Sequence, residues 1–519
     1  MTRITLDAPR VSGRAVAFSW AVEPATDLYT QSAFTMRFPE NVDLDGLPQA
    51  FWWRIMLLCL HAHWPLLRPC EVVLPVSLPE GEREAWLRLT DAAVATLEAL
   101  RGGSDIARTI DIVSAGPALP TPSARGGPHP PQLVASCFSG GRDSLAQAGL
   151  LAELGADVLL VATTSPVSWA TDHETSRRRE VLASVGERGP FEVIEVVSDL
   201  RGNCWNDFPG PRYGLGINEL GDTFLYLAAA LAAGLARDAR QALIASETQV
   251  QESIKPAGMV IQHKHYMYSA ATLRAVSAIF RPFGIETGSL TSALHPFQVQ
   301  RLLAVRFQRL RDLQYSCWEL QPGEAACSRC SKCRNVALNL LACGVSPAVA
   351  GIDFVALMDA QRDWRPPSDG PREREEHGAA RRALPEATAD AGRTQQLCRC
   401  LVSTPAERLE RLDFGRNATD RARAIATYSR MRGLALAVPL DPEPGYRAGY
   451  LDLVDARFRD GLRAILDEHF SPAPPESYAE LVANTQLLGD WITAPLRSSM
   501  PTASAAPADG ALTQVLARR

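Results

Sequence analysis

Between residues 132 and 245 short apolar runs alternate with longer segments in which an apolar residue returns every three or four positions. Residues 133–138, 157–162, 191–197 and 242–245 read as strands, and residues 143–154, 173–185 and 221–237 read as helices. The strand runs are almost wholly apolar, as in strands covered on both faces, so the pattern predicts an α/β fold with a parallel sheet and helices on both sides.

The flanks are patterned differently. Residues 1–115 mix strand-like runs at 16–20, 34–38 and 72–74 with helical spacing at 82–100, which predicts an N-terminal α+β domain. The most hydrophobic stretch there, 51–60, reads as an interior helix, with His61 and His63 carrying no separate signal. Residues 116–131 hold too many prolines and glycines for a regular element and read as a linker. A helical C-terminal region is expected over 346–497, with periodicity at 406–432 and 450–470, a mobile loop at 366–394 and a disordered tail at 498–519. The expected domain carrying the chemistry is therefore 132–345.

Charge narrows the classes of partner. With 53 Lys and Arg against 58 Asp and Glu, the net charge is -5, so no basic field favours nucleic acid. The runs Arg177 to Arg179 and Arg301 to Arg311 read as solvated helix faces. The longest lipid-like run, 224–236, is 13 residues, shorter than the roughly 18–20 that cross a bilayer, and reads as a buried helix. The first ten residues lack an apolar signal core, so a cytoplasmic location and no membrane partner are expected. Eleven cysteines in 519 residues are too sparse for a disulfide scaffold, and in a reducing compartment clustered ones are metal ligands first.

Two motifs carry chemistry. Ser139-Gly140-Gly141-Arg142-Asp143-Ser144 lies between the first strand and first helix of the central region. Adjacent glycines let consecutive N–H groups face one point, and the following helix directs its positive end there, which suits an anion. Ser139 and Ser144 add hydroxyls, and Asp143 suits a Mg2+ ion that accompanies a nucleotide. The spacing is neither that of a P-loop nor that of a dinucleotide fingerprint. The second motif, Cys317-x9-Cys327-x2-Cys330-x2-Cys333, offers four thiolates for a tetrahedral, structural Zn2+; an iron–sulfur cluster uses the same ligand type. Cys398 and Cys400 read as bystanders, and Cys59, Cys70, Cys137, Cys204 and Cys343 as packing residues.

The Ser-Gly-Gly-x-Asp-Ser string is similar to the pyrophosphate loop of the N-type ATP pyrophosphatases, and with the later cysteine cluster the chain resembles 7-cyano-7-deazaguanine synthases over residues 132 to about 345. The resemblance implies a Rossmann-like parallel sheet, ATP and Mg2+ bound by residues 139–144, and a carboxylate of a 7-deazaguanine activated as an acyl-adenylate. It further implies substrate binding by Ser246-Glu247-Thr248 and by the 212–218 turn, with Arg212 and Asn218 in place of the family's Gly-Arg-Asn. It casts Asp143, Glu247, Lys255 and His173 as the catalytic set, Lys255 standing in for a family lysine replaced near Phe297 and Gln298. Residues 163–172 depart from the family's Asp-Tyr-Gly-Gln segment.

The long flanks suggest an amine larger than ammonia, such as a protein N-terminus, as in long relatives from antiviral operons. Ammonia as the amine, giving the nitrile, is the alternative within the family. Outside it stand sulfur transfer to tRNA, disfavoured by the acidic balance, and a nucleotide-sensing scaffold, disfavoured by the intact Asp143 and Ser144.

Overall fold

The computed structural model describes residues 1–101 except 27, 109–120, 132–165, 172–200, 218–248, 266–317, 320, 323–366, and 389–477 except 413, 415 and 442. The N-terminal part runs β1 (Thr2–Leu6), β2 (Arg10–Ser12), β3 (Ala15–Glu23), β4 (Ala33–Arg37), α1 (Gln49–Leu60), β5 (Cys70–Leu74), α2 (Glu80–Arg101) and β6 (Ile110–Ser114). The central part follows as β7 (Leu133–Cys137), α3 (Arg142–Glu153), β8 (Asp157–Thr164), α4 (Asp172–Arg188), β9 (Phe191–Ser198), α5 (Asn218–Ala236), β10 (Gln241–Leu243), α6 (Ala270–Phe280) and β11 (Glu286–Gly288). Beyond them lie α7 (Ser331–Ala342), α8 (Ala389–Ser403), α9 (Ala418–Leu436) and α10 (Ala456–Asp467), joined by shorter helical turns. The chain is thus an α/β protein.

The central strands pair in parallel in the order β11-β10-β7-β8-β9, so the chain starts in the middle, grows to one edge, then returns through α5 to the far side of β7. Alternation within each strand separates two cores. Ala135, Cys137, Leu159 and Val161 point into a cluster with α1, α2, α5 and α6, while Val134, Val158, Leu160 and Ala162 point into one with α3, α4 and the C-terminal helices. Helices therefore cover both faces, which is why the middles of β7 and β8 are almost wholly apolar.

The sheet does not stop at the Pro-rich segment. β4 pairs antiparallel with β9, β3 carries the sheet on to β1, and β5 and β6 extend it in parallel, giving one large, mostly parallel sheet. The junction is short, only Met36 to Ser198 and Arg37 to Val197, and Asp199 lengthens it by accepting from the Thr35 N–H at 2.6 Å and the Thr35 hydroxyl at 3.2 Å. Replacing Asp199 with alanine is expected to cost about 1–2 kcal/mol in urea unfolding, because two part-buried donors lose their acceptor. An unchanged midpoint would show that the strand pairs alone hold the junction.

Several expected elements shift. Strands β1, β2, β6 and β11 lie where none is expected from the sequence. The helix expected over 406–432 is broken: Ala406–Leu409 is a separate turn, and Asn417 starts α9 by accepting from the Asp420 N–H. Part of the expected loop at 366–394 is also helical, since α8 starts at Ala389 in an Ala-rich stretch; residues 367–388 and the expected tail at 498–519 lie outside the described residues. Among the described residues no helix is long and apolar enough to cross a membrane, and 224–236 is buried in α5 as expected.

Candidate functional site

The glycine turn leaves the C-terminal end of β7, where the neighbouring strands β8 and β10 send their connections to opposite faces of the sheet. Such a point opens a crevice at the strand ends. Gly140 has φ +74°, which turns the chain sharply, and Gly141 with φ -79° and ψ 169° is the N-cap of α3. Among the described residues the main-chain N–H groups of Gly140, Arg142, Asp143 and Ser144 make no backbone hydrogen bond. Those of Ser139 and Gly141 make only long ones, to the hydroxyls of Ser144 (3.4 Å) and Ser139 (3.3 Å). A helix start with unspent donors attracts negative charge.

Of the turn, Ser139, Asp143 and Ser144 line a cavity of about 210 Å³ together with Thr163, Arg178 and Glu247, with Phe138, Val161, Tyr226, Ile244 and Tyr268 as its larger carbon surface. Glu247 is fixed from both sides. The Ser246 N–H donates to Ser289 and Thr291 hydroxyls at 3.0 Å each, and the Thr248 N–H donates to the Leu294 carbonyl at 2.8 Å. Arg142 then bridges the turn to this segment, with one terminal nitrogen 2.5 Å from a Glu247 oxygen and Nε donating to Asp143 at 2.9 Å. Burial works against the guanidinium charge, but the carboxylates of Asp143 and Glu247 outweigh it and push its pKa up.

Three of the residues expected from sequence, Asp143, Arg142 and Glu247, thus meet although Glu247 lies 105 residues from Arg142. Ser139, Gly140, Gly141 and Ser144 form the turn itself, while Thr248 is buried behind Glu247 and does not line the cavity. Arg212 and Lys255 lie outside the described residues, as do the side chains of His173 and Asn218, which are placed only as members of α4 and α5. Cys137 donates to the Tyr226 carbonyl, and burial pushes its thiol up, so it stays protonated and inert.

Arg178, expected on a solvated helix face, lines the cavity instead, and Thr163 joins it there although the sequence pointed to neither as a site residue. Arg178 precedes Val181, Leu182 and Val185 on the buried stripe of α4, an i, i+3, i+4, i+7 pattern that places it on the inner face although its neighbours Arg177 and Arg179 are charged too. Val181 touches the turn: a β-carbon on Gly140 would lie 3.0 Å from its Cγ1. Thr163 is 8% exposed, and its hydroxyl has no partner among the described residues.

The cysteine cluster is assembled. The sulfurs of Cys317, Cys327, Cys330 and Cys333 are buried and lie within 4.8 Å of one another, with Cys327 and Cys333 3.7 Å apart. Four sulfurs at about 2.3 Å from a tetrahedral Zn2+ stand about 3.8 Å apart, so this donor set fits zinc. The N–H groups of Cys327, Cys330 and Cys333 donate to the sulfurs of Cys317, Cys327 and Cys330 at 3.3–3.4 Å, as a thiolate knuckle requires. Hydrogen bonding with Cys317 and Cys330, helped by burial, holds the Cys333 thiol far above its usual range, while contacts with Cys317 and Cys333 pull Cys330 down. A dication relieves that crowding by taking all four as thiolates.

The knuckle also touches the turn: the Tyr315 N–H, two residues before Cys317, donates to the Gly140 carbonyl at 2.8 Å. Cys398 and Cys400 are buried away from it, Cys400 donating to Asn339 at 3.2 Å. Set beside known proteins, the chain matches no family model, no curated protein and no solved structure.

Proposed function

We propose that the chain is an ATP-dependent ligase on a Rossmann-like sheet, which adenylates a carboxylate of the 7-deazaguanine type and passes the acyl group to an amine. The observation that carries this reading is the row of N–H groups at the start of α3 that have no backbone partner among the described residues, two of them on Asp143 and Ser144, which line a cavity at the strand ends. In chain order these strands run 5-4-1-2-3, the order of a doubly wound sheet whose crevice lies between the first and fourth strands, β7 and β10.

In this scheme a substrate carboxylate oxygen forms a bond to the α-phosphorus as the bond to the bridging oxygen breaks, and pyrophosphate leaves. The amides of 140–144 hold that leaving group, and the α3 dipole and Arg178 stabilise the charge that grows on it. Asp143 faces the cavity and would suit a Mg2+ ion, which keeps several waters and needs one or two carboxylates besides phosphate oxygens, while Glu247, also facing the cavity, is left for the second substrate. An amine then attacks the acyl carbon, AMP departs and the nitrogen gives up a proton. No side-chain nucleophile is needed, in keeping with the inert Cys137.

The amine is read as a protein N-terminus, with ammonia as the alternative. ATP–pyrophosphate exchange is expected with 7-carboxy-7-deazaguanine present and not without it. No exchange under either condition would remove the ligase reading, and the product mass with each amine separates conjugate from nitrile.

A further inference from the structure

The wall of the cavity holds an electrostatic conflict. A site built for a polyanion has two carboxylates facing it, Asp143 and Glu247. A carboxylate beside bound phosphates is repelled and tends to swing away, unless a positive charge is held against it. Arg142 is that charge. Its side chain is 15% exposed and that of Glu247 is 16%, so their 2.5 Å contact is screened less than a surface pair.

Arg142 does not hold the backbone of this segment. Ser246 is tied through Ser289 and Thr291, and Thr248 through Leu294, so the main chain on either side of Glu247 is fixed without it. Nor does Arg142 line the cavity. What remains for the guanidinium is the charge and direction of two carboxylates, since the same group also holds Asp143. Among the described residues the other charged or titratable groups that face the cavity are Arg178 from α4, Tyr226 from α5, Tyr268 and Cys137.

We infer that Arg142 is a positioning residue that keeps the Glu247 carboxylate facing the cavity while a polyphosphate occupies the turn. The inference rests on the nucleotide reading above and adds to it that the ion pair lets one cavity hold a polyanion beside an acid able to accept hydrogen bonds from a second substrate.

A charge-rescue cycle tests it, with a non-hydrolysable α,β-methylene ATP titrated calorimetrically into the full chain. Arg142→Gln is expected to bind about tenfold more weakly than wild type, because the Glu247 carboxylate loses the Arg142 charge held against it. Glu247→Gln should bind like wild type or better. The double variant, with the repulsion gone, should recover to within about threefold of wild type, the remainder reflecting Asp143. Arg142→Lys, which keeps the charge, should also retain most of the affinity.

A purely structural Arg142 predicts no such rescue, so a double variant as weak as Arg142→Gln overturns the inference while leaving nucleotide binding in place. Absence of binding by wild type overturns both the inference and the reading beneath it. Circular dichroism of each variant confirms that weak binding is not unfolding.

Discussion

Gly140→Val is expected to abolish nucleotide binding and pyrophosphate exchange and to lower the unfolding temperature. The residue sits at φ +74°, where a side chain costs about 1–2 kcal/mol, more for a β-branched one. The first added carbon would lie 3.0 Å from Val181 Cγ1, and relieving that overlap adds about 1–3 kcal/mol or shifts the turn. A shifted turn also loses the Tyr315 hydrogen bond and scatters the N–H groups of Arg142, Asp143 and Ser144, which work only when aimed at one point. Gly155 supplies the control. It has φ +76°, but nothing lies within 4 Å of its would-be β-carbon, so Gly155→Ala should lower stability modestly and leave nucleotide affinity unchanged. Equal loss of binding in both variants would show that general destabilisation, and not the turn, governs affinity.

The contrast between these glycines shows what a sequence reveals. The turn was legible because its parts are adjacent: a strand, two glycines, two serines and a helix start within one short stretch. The cysteine cluster was legible for the same reason, since ligand spacing is local, and so were the buried central strands and α5. What joins these pieces is not local. That Asp199 ties β4 to β9, that Arg142 reaches Glu247, and that Tyr315 bonds to Gly140 depend on strand order and loop direction, which hydrophobic period does not encode. Short strands such as β2 and β11, three residues each, have too few positions to show alternation. Arg178 hid for another reason: it stands among charged neighbours, and only its phase relative to Val181 and Val185 separates the inner face of α4 from the outer one.

Removing a metal held by the four cysteines is the other change expected to have a large effect, and its reach should exceed the cysteine knuckle. Structural zinc sites contribute about 10–16 kcal/mol of metal binding free energy in small domains, and without a dication four buried sulfurs are left in an arrangement only a cation favours. Cys330 caps α7 by accepting from the Cys333 N–H, so the start of that helix loosens with the site. Cys317 lies two residues from Tyr315, whose N–H holds the Gly140 carbonyl, and release of that strap reaches the anion turn directly. Cys333→Ser is therefore expected to lose the bound metal by mass spectrometry, unfold at a lower temperature, and bind α,β-methylene ATP at least about tenfold more weakly, the equivalent of about 1.4 kcal/mol. Cys400→Ser, a buried thiol outside the knuckle, should keep both metal and nucleotide. If Cys333→Ser loses the metal yet binds nucleotide like wild type, the strap through Tyr315 carries no coupling and the two sites are independent.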